Sequence, residues 1–272
     1  MDEQIITIYC LCDDLLRAHH HYEDPQCTMS DAEVMTTALV AARFFKGNLE
    51  QARIFLKAYR YVPRMLSKSR LIRRLHRIRS LFLTLFDLLG ETWKSLNPDS
   101  IYSVDSFPIA ACDNYRIRRA KLYRRKDCRG YLASKRRYFY GLKIHLLVTQ
   151  DGQPVEFFLT PGAWSDVGCL ESFELDLPSG SIIYADRGYT HYRFEDGLLE
   201  NSGIRFMPMR KRNSKRPFPP WVQYLQHYFR KRIETVGSLL QQLLPKSIHA
   251  VKAVGFELKV VLFILTLSIN CL

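Results

Sequence analysis

The sequence predicts an α/β protein in which an all-helical N-terminal region precedes a mixed sheet flanked by helices. Over residues 1–97, apolar residues recur at helical spacing. Beyond a turn-forming group at 96–99, five short apolar segments bounded by turn residues follow, as is typical of strands. A chain of 272 residues is long enough for two modest domains, and we place them at 1–97 and 98–272.

The N-terminal region predicts several helices, one of them strongly cationic. Ser30 and Glu33 form a capping box ahead of an apolar helical pattern, and residues 49–61 restart that pattern. Residues 64–79 then contain seven Lys and Arg and no acid, with an apolar stripe on one side. Such a cationic face is either solvated surface or, in a helix-turn-helix-like unit, a DNA-phosphate contact. The second interpretation selects Arg73, Arg74 and Arg77.

The rest of the chain predicts a sheet with covering helices. The candidate strands are 100–110, 137–149, 154–160, 181–185 and 204–209. The second and third of these flank Asp151-Gly152 and predict a hairpin. We expect helices at 163–175 and 192–200 and from 221 onward. The apolar run 260–267 predicts a buried closing helix, since it is too short to span a bilayer.

The charge balance indicates a polyanionic partner. Forty Lys plus Arg against 27 Asp plus Glu give a net charge of +13. The segment 116–137 holds eleven Lys and Arg, Arg124 and Arg125 among them, and one acid, Asp127. Its interspersed tyrosines suit stacking on unpaired bases. A second run, 205–216, holds six basic residues and no acid. Each run alone is also compatible with plain surface charge.

Cysteine usage and the start of the chain predict a cytoplasmic protein. Seven cysteines do not suggest a disulfide framework, and the sequence contains no CxxC pair. The opening residues carry acids where a secretory signal would carry basic residues. We expect no membrane association.

Two aspartates stand where strands carry functional groups. Asp105 interrupts an apolar strand pattern, and a charge there is costly unless it is paired or bound to a cation. Asp186 follows the apolar segment IIYA, at the carboxyl end of a strand, where open α/β sheets bind ligands. Each residue alone also suits a structural role, as an edge-strand or a turn aspartate.

Glu234 is the third candidate carboxylate. Its helix has an apolar stripe, and the residues three and four positions after Glu234 on its own face are Gly237 and Ser238. Arg230 lies one turn before it. The pair is either an i, i+4 ion pair on a solvated helix or part of a metal and nucleic-acid site. Magnesium takes oxygen ligands, and two ions about 3.5–4 Å apart suit phosphodiester cleavage and joining.

The motifs around these acids resemble those of the DDE transposases of bacterial insertion sequences. They are YSVDSFPI around Asp105, residues 140–166, IIYADRGY around Asp186 and YFRKRIETVGSLL around Glu234. The acids are separated by 186 − 105 = 81 and 234 − 186 = 48 residues. This resemblance implies an RNase H-like catalytic domain with a mixed five-stranded sheet. It places Asp105 on the first strand, Asp186 after the fourth and Glu234 on a later helix.

The resemblance also implies a cofactor, partners and further contacts. The three acids would hold Mg²⁺, with Mn²⁺ able to substitute, as two ions. The partners would be terminal inverted repeats and target DNA, bound by a homodimer. Arg230 and Glu234 match the arginine and glutamate of a helix signature whose tyrosine and lysine positions here hold His227 and Gln241.

Three further residues are candidates near the acids. Lys143 and His145 alternate onto one face of a strand, as DNA contacts or as a satisfied pair on the sheet surface. Asp166 matches an acidic position of the relatives and equally suits a helix N-cap.

Two other functions remain compatible with the sequence. A magnesium nuclease of the same fold would cut DNA without joining it. A degenerate or domesticated copy would bind DNA and have no activity, although the presence of all three acids argues against it.

Overall fold

The N-terminal part of the chain is helical, as predicted. The computed structural model describes residues 1–113, 121–132 and 136–272. The helices are α1 (Asp2–Ala18), α2 (Asp31–Phe44), α3 (Leu49–Ala58), α4 (Lys68–Arg77) and α5 (Arg79–Ser95), followed later by α6 (Tyr192–Ser202), α7 (Pro220–Leu243) and α8 (Ala253–Ile269). The predicted capping box is confirmed, because the Ser30 side chain accepts from the Glu33 amide and the Glu33 carboxylate accepts from the Ser30 amide.

The described residues divide into two compact units. One unit comprises Met1–Leu88 and Leu240–Leu272, and the other comprises Leu89–Leu239. The last helix, α8, is buried along most of its length, as predicted for a closing helix, and it packs on α2. By compactness α8 therefore belongs with the N-terminal helices, outside the unit that holds the sheet. The functional division into a DNA-binding region at 1–97 and a catalytic domain at 98–272 stays a prediction.

The second unit is built on a mixed sheet. Its strands are β1 (Ile101–Asp113), β2 (Arg129–Leu132), β3 (Arg137–Thr149), β4 (Pro154–Pro161), β5 (Ile182–Ala185) and β6 (Arg205–Pro208). β3 pairs antiparallel with β1 on one side and with β2 and β4 on the other. β5 runs parallel to β1, and β6 runs parallel to β5. The α/β class with a mixed, helix-flanked sheet is confirmed.

The described sheet has six strands where five were predicted. The additional strand, β2, pairs with the first four residues of β3. β4 pairs with the later part of β3, from Leu142 onward. Its side chains are mostly exposed, so the sequence lacks the apolar alternation by which a strand is recognised. Asp186 consequently follows the fifth strand in chain order and not the fourth.

The helix predicted at 163–175 was wrong. Only a 3₁₀ turn forms there, over Val167–Ser172. The Ser165 hydroxyl accepts from the Gly168 amide at 3.1 Å, and such local side-chain bonds compete with helix formation. In the part of the chain that the structure describes, no helix is long and apolar enough to cross a membrane.

Candidate active site

Asp105 lies within β1, between the buried Val104 and Phe107. Its carboxylate accepts a hydrogen bond from the Ser106 amide at 2.8 Å. Burial raises the pKa of Asp105 to about 6, with the charges of Asp186 and Asp166 adding to that effect and Arg230 opposing it. A carboxylate with an environment this unfavourable to its charge is one that a bound cation would stabilise.

Asp186 lies beside Asp105 because β1 and β5 are parallel neighbours. The pairing of these strands runs to Val104 opposite Ala185, so the next residue on each strand is one of the two aspartates. Asp186 begins the 3₁₀ turn Arg187–Tyr189, where the chain leaves the sheet. Two acids thus stand together where the parallel pairing of β1 and β5 ends, Asp105 within its strand and Asp186 after the end of its strand, as the sequence predicts for each.

α7 brings Glu234 to the same unit through contacts along three strands. The Gln226 amide donates to the carbonyls of Met207 and Pro208 in β6, at 3.1 and 3.3 Å. Further along, Phe229 stacks on Tyr184 of β5 with ring centroids 5.1 Å apart. These contacts fix the rotation and height of the helix above the sheet.

α7 lies close to β1 at Gly237. A Cβ atom built on Gly237 would lie 2.1 Å from the Phe107 ring of β1, so only glycine fits at this distance. Phe107 follows Asp105 by two residues and points to the same face of the strand. Gly237 follows Glu234 by three residues and lies on its helix face. The glycine thereby lets the helix that carries Glu234 lie close to the strand that carries Asp105.

Arg230 links two of the three acids. Its guanidinium donates to Asp186 at 2.5 Å and to Glu234 at 2.9 Å. The i, i+4 ion pair with Glu234, one of the two interpretations of the sequence, is present, and the contact with Asp186 was not predicted. Burial acts to lower the pKa of Arg230, but Asp186, Asp105 and Glu234 together raise it.

The three acids have the donor chemistry of a divalent-cation site. All supply carboxylate oxygens, which hard cations prefer, and the guanidinium between Asp186 and Glu234 shows that this place accommodates positive charge. Among the described residues, no group of three or more His, Cys, Asp and Glu lies close enough to hold a metal ion. Asp105, Asp186 and Glu234 therefore have the ligand chemistry of a divalent-cation site without its close grouping, and Arg230 is the counter-charge of Asp186 and Glu234 in this structure.

Lys143 and His145 have different surroundings although both lie on β3. The Lys143 ammonium donates to the Trp164 carbonyl at 2.8 Å and pairs with Asp166 at 3.2 Å. His145 is fully buried, with its ring nitrogens 2.8 Å from the Tyr189 hydroxyl and 2.9 Å from the Thr160 hydroxyl. Burial lowers the pKa of His145 to about 4, so the ring is neutral at neutral pH. His145 therefore offers no charge to DNA.

The surroundings of His145 show a residue that the sequence analysis missed. Tyr189 is completely buried and ends the 3₁₀ turn that follows Asp186. Its hydroxyl ties that turn to β3 through His145. The only signal was its position three residues after Asp186 in the ADRGY motif. Asp166, in turn, stands at the start of the turn Val167–Ser172, but its side chain makes no cap hydrogen bond.

The cationic face of α4 is confirmed in part. Arg73 and Arg77 are exposed. Arg74 differs, because its guanidinium is largely buried and donates to the carboxylates of Glu23 and Asp31, both at 2.5 Å. Arg74 therefore ties α4 to α2 and to the segment before α2, and its guanidinium is not available to a partner.

The basic segment 116–137 lies partly outside the described residues, since 114–120 and 133–135 are not described. Within the described part, Arg124 and Arg125 are exposed, and Arg125 pairs with Asp127 at 2.7 Å. Tyr131 and Tyr138 are half exposed, with ring centroids 4.9 Å apart. The Arg129 guanidinium lies 4.1 Å above the Tyr138 ring. This edge of the sheet presents cations and aromatic rings together.

The second basic run, 205–216, is less available than its sequence indicates. Arg210 is buried and pairs with the equally buried Glu195, at 2.5 and 2.8 Å. Arg216 pairs with Asp196 at 2.7 Å. Two of the six basic residues therefore neutralise acids of α6.

Comparisons with known proteins give one family and one solved structure. A family model described as "Transposase DDE domain" matches residues 95–249. A chain in the crystal structure of a pre-cleavage Mos1 transpososome is similar over 92% of this chain and 80% of that chain, with 12% sequence identity and a TM-score of 0.25. No curated protein sequence matches the chain.

Proposed function

The chain belongs to the transposase DDE domain family, and from that membership we propose that it cleaves DNA at the ends of a mobile element and joins the freed ends to target DNA. The observation that carries this proposal is the position of Asp105 and Asp186, which directly follow Val104 and Ala185, the last paired residues of two adjacent parallel strands. The helix of Glu234 packs on the same sheet through Gly237.

We assign the three carboxylates to metal binding. Asp105, Asp186 and Glu234 would hold Mg²⁺ or Mn²⁺ as two ions. When bound, such ions activate the attacking oxygen and stabilise the leaving oxygen of the phosphodiester. The carboxylates themselves form no bond to DNA, so the reaction needs no covalent protein–DNA intermediate.

Arg230 has a specific role in this proposal. Its guanidinium neutralises Asp186 and Glu234 in the absence of a cation, which lowers the repulsion between carboxylates held close together. Once a cation takes over that charge, the guanidinium is free to donate to a phosphate oxygen of the DNA backbone. Arginine suits this exchange, because it forms bidentate bonds to carboxylates and phosphates alike.

The surrounding cations would position the DNA. We assign phosphate contacts to Arg73 and Arg77 on α4 and to Arg124 and Arg125 near β2, all of which are exposed. Lys143 is mostly covered and engaged with Asp166, so we assign it a supporting role beside the acids. Two bound ends would need to act together, and a homodimer is the simplest assembly that provides this.

The test uses a plasmid that carries the reading frame together with its natural flanking DNA. Purified protein with Mg²⁺ or Mn²⁺ should cut at defined positions in the flanks and join the cut ends to a second plasmid. Ca²⁺ should support binding with little cleavage, because its looser coordination misplaces the attacking oxygen. Cutting without joining would indicate a nuclease, and full activity in excess chelator would contradict the metal assignment.

The matched variants are Asp105→Asn, Asp186→Asn and Glu234→Gln, with Glu200→Gln as the control. Each of the three should reduce cleavage by several orders of magnitude, roughly the cost of misplacing an in-line attack. Glu200 is an exposed acid of α6, and its replacement should leave cleavage unchanged. If Asp186→Asn cuts at the parental rate, the assignment of this site is wrong.

A further inference from the structure

The helical unit contains a hollow with a cationic rim. Its volume is about 790 Å³, and it is lined by the loop after α2, the start of α3, the N-terminal half of α4, the loop between α7 and α8, and α8 itself. Four lysines line it: Lys46, Lys68, Lys246 and Lys259. All of these segments belong to the unit formed by Met1–Leu88 and Leu240–Leu272.

The positive charge of this hollow is neutralised only in part from within, where Glu50 lies near Lys68. Among the described residues, none of the four lysines forms an ion pair with a carboxylate. The one acid in the lining, Glu50, is engaged by Arg53 at 2.6 and 3.1 Å. The Lys259 ammonium donates to the His249 carbonyl at 2.6 Å, and burial lowers its pKa. A group of unpaired ammonium ions around a concave surface is a site for an anion.

The rest of the lining favours a sugar–phosphate chain over a free anion. Phe44 and Phe45 contribute apolar surface beside the lysines, and the buried Phe263 lies behind it. The Phe263 ring fills the space next to Gly47, where a Cβ atom would lie 2.9 Å from it. Apolar surface suits deoxyribose, and the ammonium groups suit the phosphates on either side of it. The amides at the start of α3 already bond to the Asn48 side chain, so the site does not depend on that helix end.

The hollow shares α4 with two exposed cations. Lys68 and Ile72 of that helix line it, while Arg73 and Arg77 are exposed further along the same helix. We propose that this hollow, rimmed by Lys46, Lys68, Lys246 and Lys259, binds the backbone of a DNA strand that also contacts α4. This inference rests on the proposed function, since it supposes that DNA is the partner of the chain.

The test measures binding of a short labelled duplex to the full-length protein in chelator, where no cleavage occurs. The test variant combines Lys46→Asn, Lys68→Gln and Lys246→Gln. Asparagine is chosen at position 46 because this residue has φ +49, a conformation that asparagine tolerates. Removing three phosphate contacts should weaken binding at low salt about tenfold or more and reduce the slope of log affinity against log salt by about 2.7.

The control variant removes the same charge elsewhere in the helical unit. It combines Arg17→Gln, Lys57→Gln and Arg60→Asn, three exposed cations outside the hollow, with Arg60 also at positive φ. Its affinity should stay within about threefold of the parent, since only general attraction is lost. Equal losses in the two variants would show that net charge alone binds DNA and would overturn the inference. So would parental binding by the test variant.

A second measurement separates DNA from small phosphates. Inorganic tripolyphosphate should raise the melting temperature of the parent and of Asp105→Asn, and should do so far less for the lysine variant. Duplex DNA should compete with it. Tripolyphosphate binding in the hollow that DNA does not compete with would reassign the site to a small phosphorylated ligand.

These outcomes are distinguishable from failure of the proposed function. If the parent cleaves DNA and the test variant binds DNA as tightly as the parent, only the assignment of DNA binding to the hollow is contradicted. A parent that binds through the hollow and does not cleave with any divalent ion would contradict the catalytic proposal alone.

Discussion

At the scale of single residues, Asp105 is the acid whose environment is least favourable to its charge. Its pKa is raised to about 6 by burial, whereas the unfolded chain titrates near 3.8. The folded state therefore binds the proton more tightly, and stability decreases as pH rises from about 4 to about 6 and stays at the lower level above that. At neutral pH, Asp105→Asn should raise the free energy of unfolding in chelator by on the order of 3 kcal/mol.

Asp186 should behave differently from Asp105 in the same experiment. Its carboxylate pairs with Arg230, so Asp186→Asn removes an ion pair together with the charge. We expect no gain in stability from it, although both variants should lose cleavage. Chemical denaturation in chelator measures the difference. Equal gains in the two variants would mean that repulsion between the acids, and not burial of Asp105, sets the cost. Glu195 is unsuitable as a control acid, because it forms a buried pair with Arg210.

His145 gives a pH dependence of opposite sign. Its folded pKa of about 4 lies below its ordinary value of 6.5, because the ring is buried between Tyr189 and Thr160. Its neutral form is favoured by folding, so stability should be complete above about pH 6.5 and should fall as the pH decreases toward 4. Melting temperatures of the parent and His145→Gln should therefore converge as the solution is acidified over this range. Parallel curves would contradict a neutral buried imidazole.

The sequence identified single residues better than it identified their partners. Asp105, Asp186 and Glu234 stand out because each is an acid in a pattern that otherwise predicts apolar or small neighbours. The contact from Arg230 to Asp186 joins residues 44 positions apart, and no local periodicity encodes it. The same holds for Arg74. The cationic pattern of its helix does not indicate that its guanidinium forms ion pairs with Glu23 and Asp31.

At the scale of elements, Gly237 controls how closely α7 approaches β1. Gly237→Ala would place a methyl group against the Phe107 ring, and such overpacking costs about 1–3 kcal/mol. The gain in helix propensity returns at most about 1 kcal/mol, so the variant should be less stable than the parent. Because the displaced helix carries Glu234, cleavage should fall as well.

Gly197→Ala is the matched control for this change. It lies inside α6, and the nearest atom to its added Cβ would be 4.0 Å away. Here the helix propensity acts alone, and the variant should be up to about 1 kcal/mol more stable with unchanged cleavage. Denaturation curves of the two variants measure this. If both are stabilised, Gly237 does not set the approach of α7.

Elements with strong periodicity were predicted well, and exposed or short ones were not. The strand predicted at 137–149 coincides with β3, which is buried along most of its length. β2 was missed because an edge strand with exposed side chains has no apolar alternation. The helix expected at 163–175 failed because Ser165 and Gly168 form a local turn whose bonds are not visible as a hydrophobic pattern.

At the scale of the whole molecule, α8 shows why a single boundary in the sequence does not predict the compact units of the chain. The sequence indicates that this helix is apolar on all sides and must be buried, which is confirmed. An all-round apolar surface does not say which partner buries it. α2 is likewise buried almost throughout, and the two helices pack together although some 200 residues separate them. A linear boundary therefore could not assign the last helix to the helical unit.

The net charge of the molecule leads to the last prediction. Of the 40 basic residues, several form internal ion pairs, among them Arg74, Arg210 and Arg216. The number of phosphates neutralised on DNA binding should therefore be well below the number of cations. Each contact contributes roughly 0.9 to the slope of log affinity against log salt. A duplex titrated with the parent at several salt concentrations should give a straight line with a slope of about 5 to 8.

The same titration on Asp105→Asn tests whether binding and catalysis are separate properties of the molecule. Asp105 is a partly buried acid and adds no positive charge for phosphates, so its replacement should leave the slope unchanged while cleavage is lost. A flat salt dependence in the parent would mean that the charge of +13 does not serve nucleic-acid binding. A steep slope for the parent that flattens in Asp105→Asn would mean that the acids themselves organise the DNA site. In that case the cations and carboxylates would form one coupled surface, and the assignment of binding and chemistry to different residues would have to be abandoned.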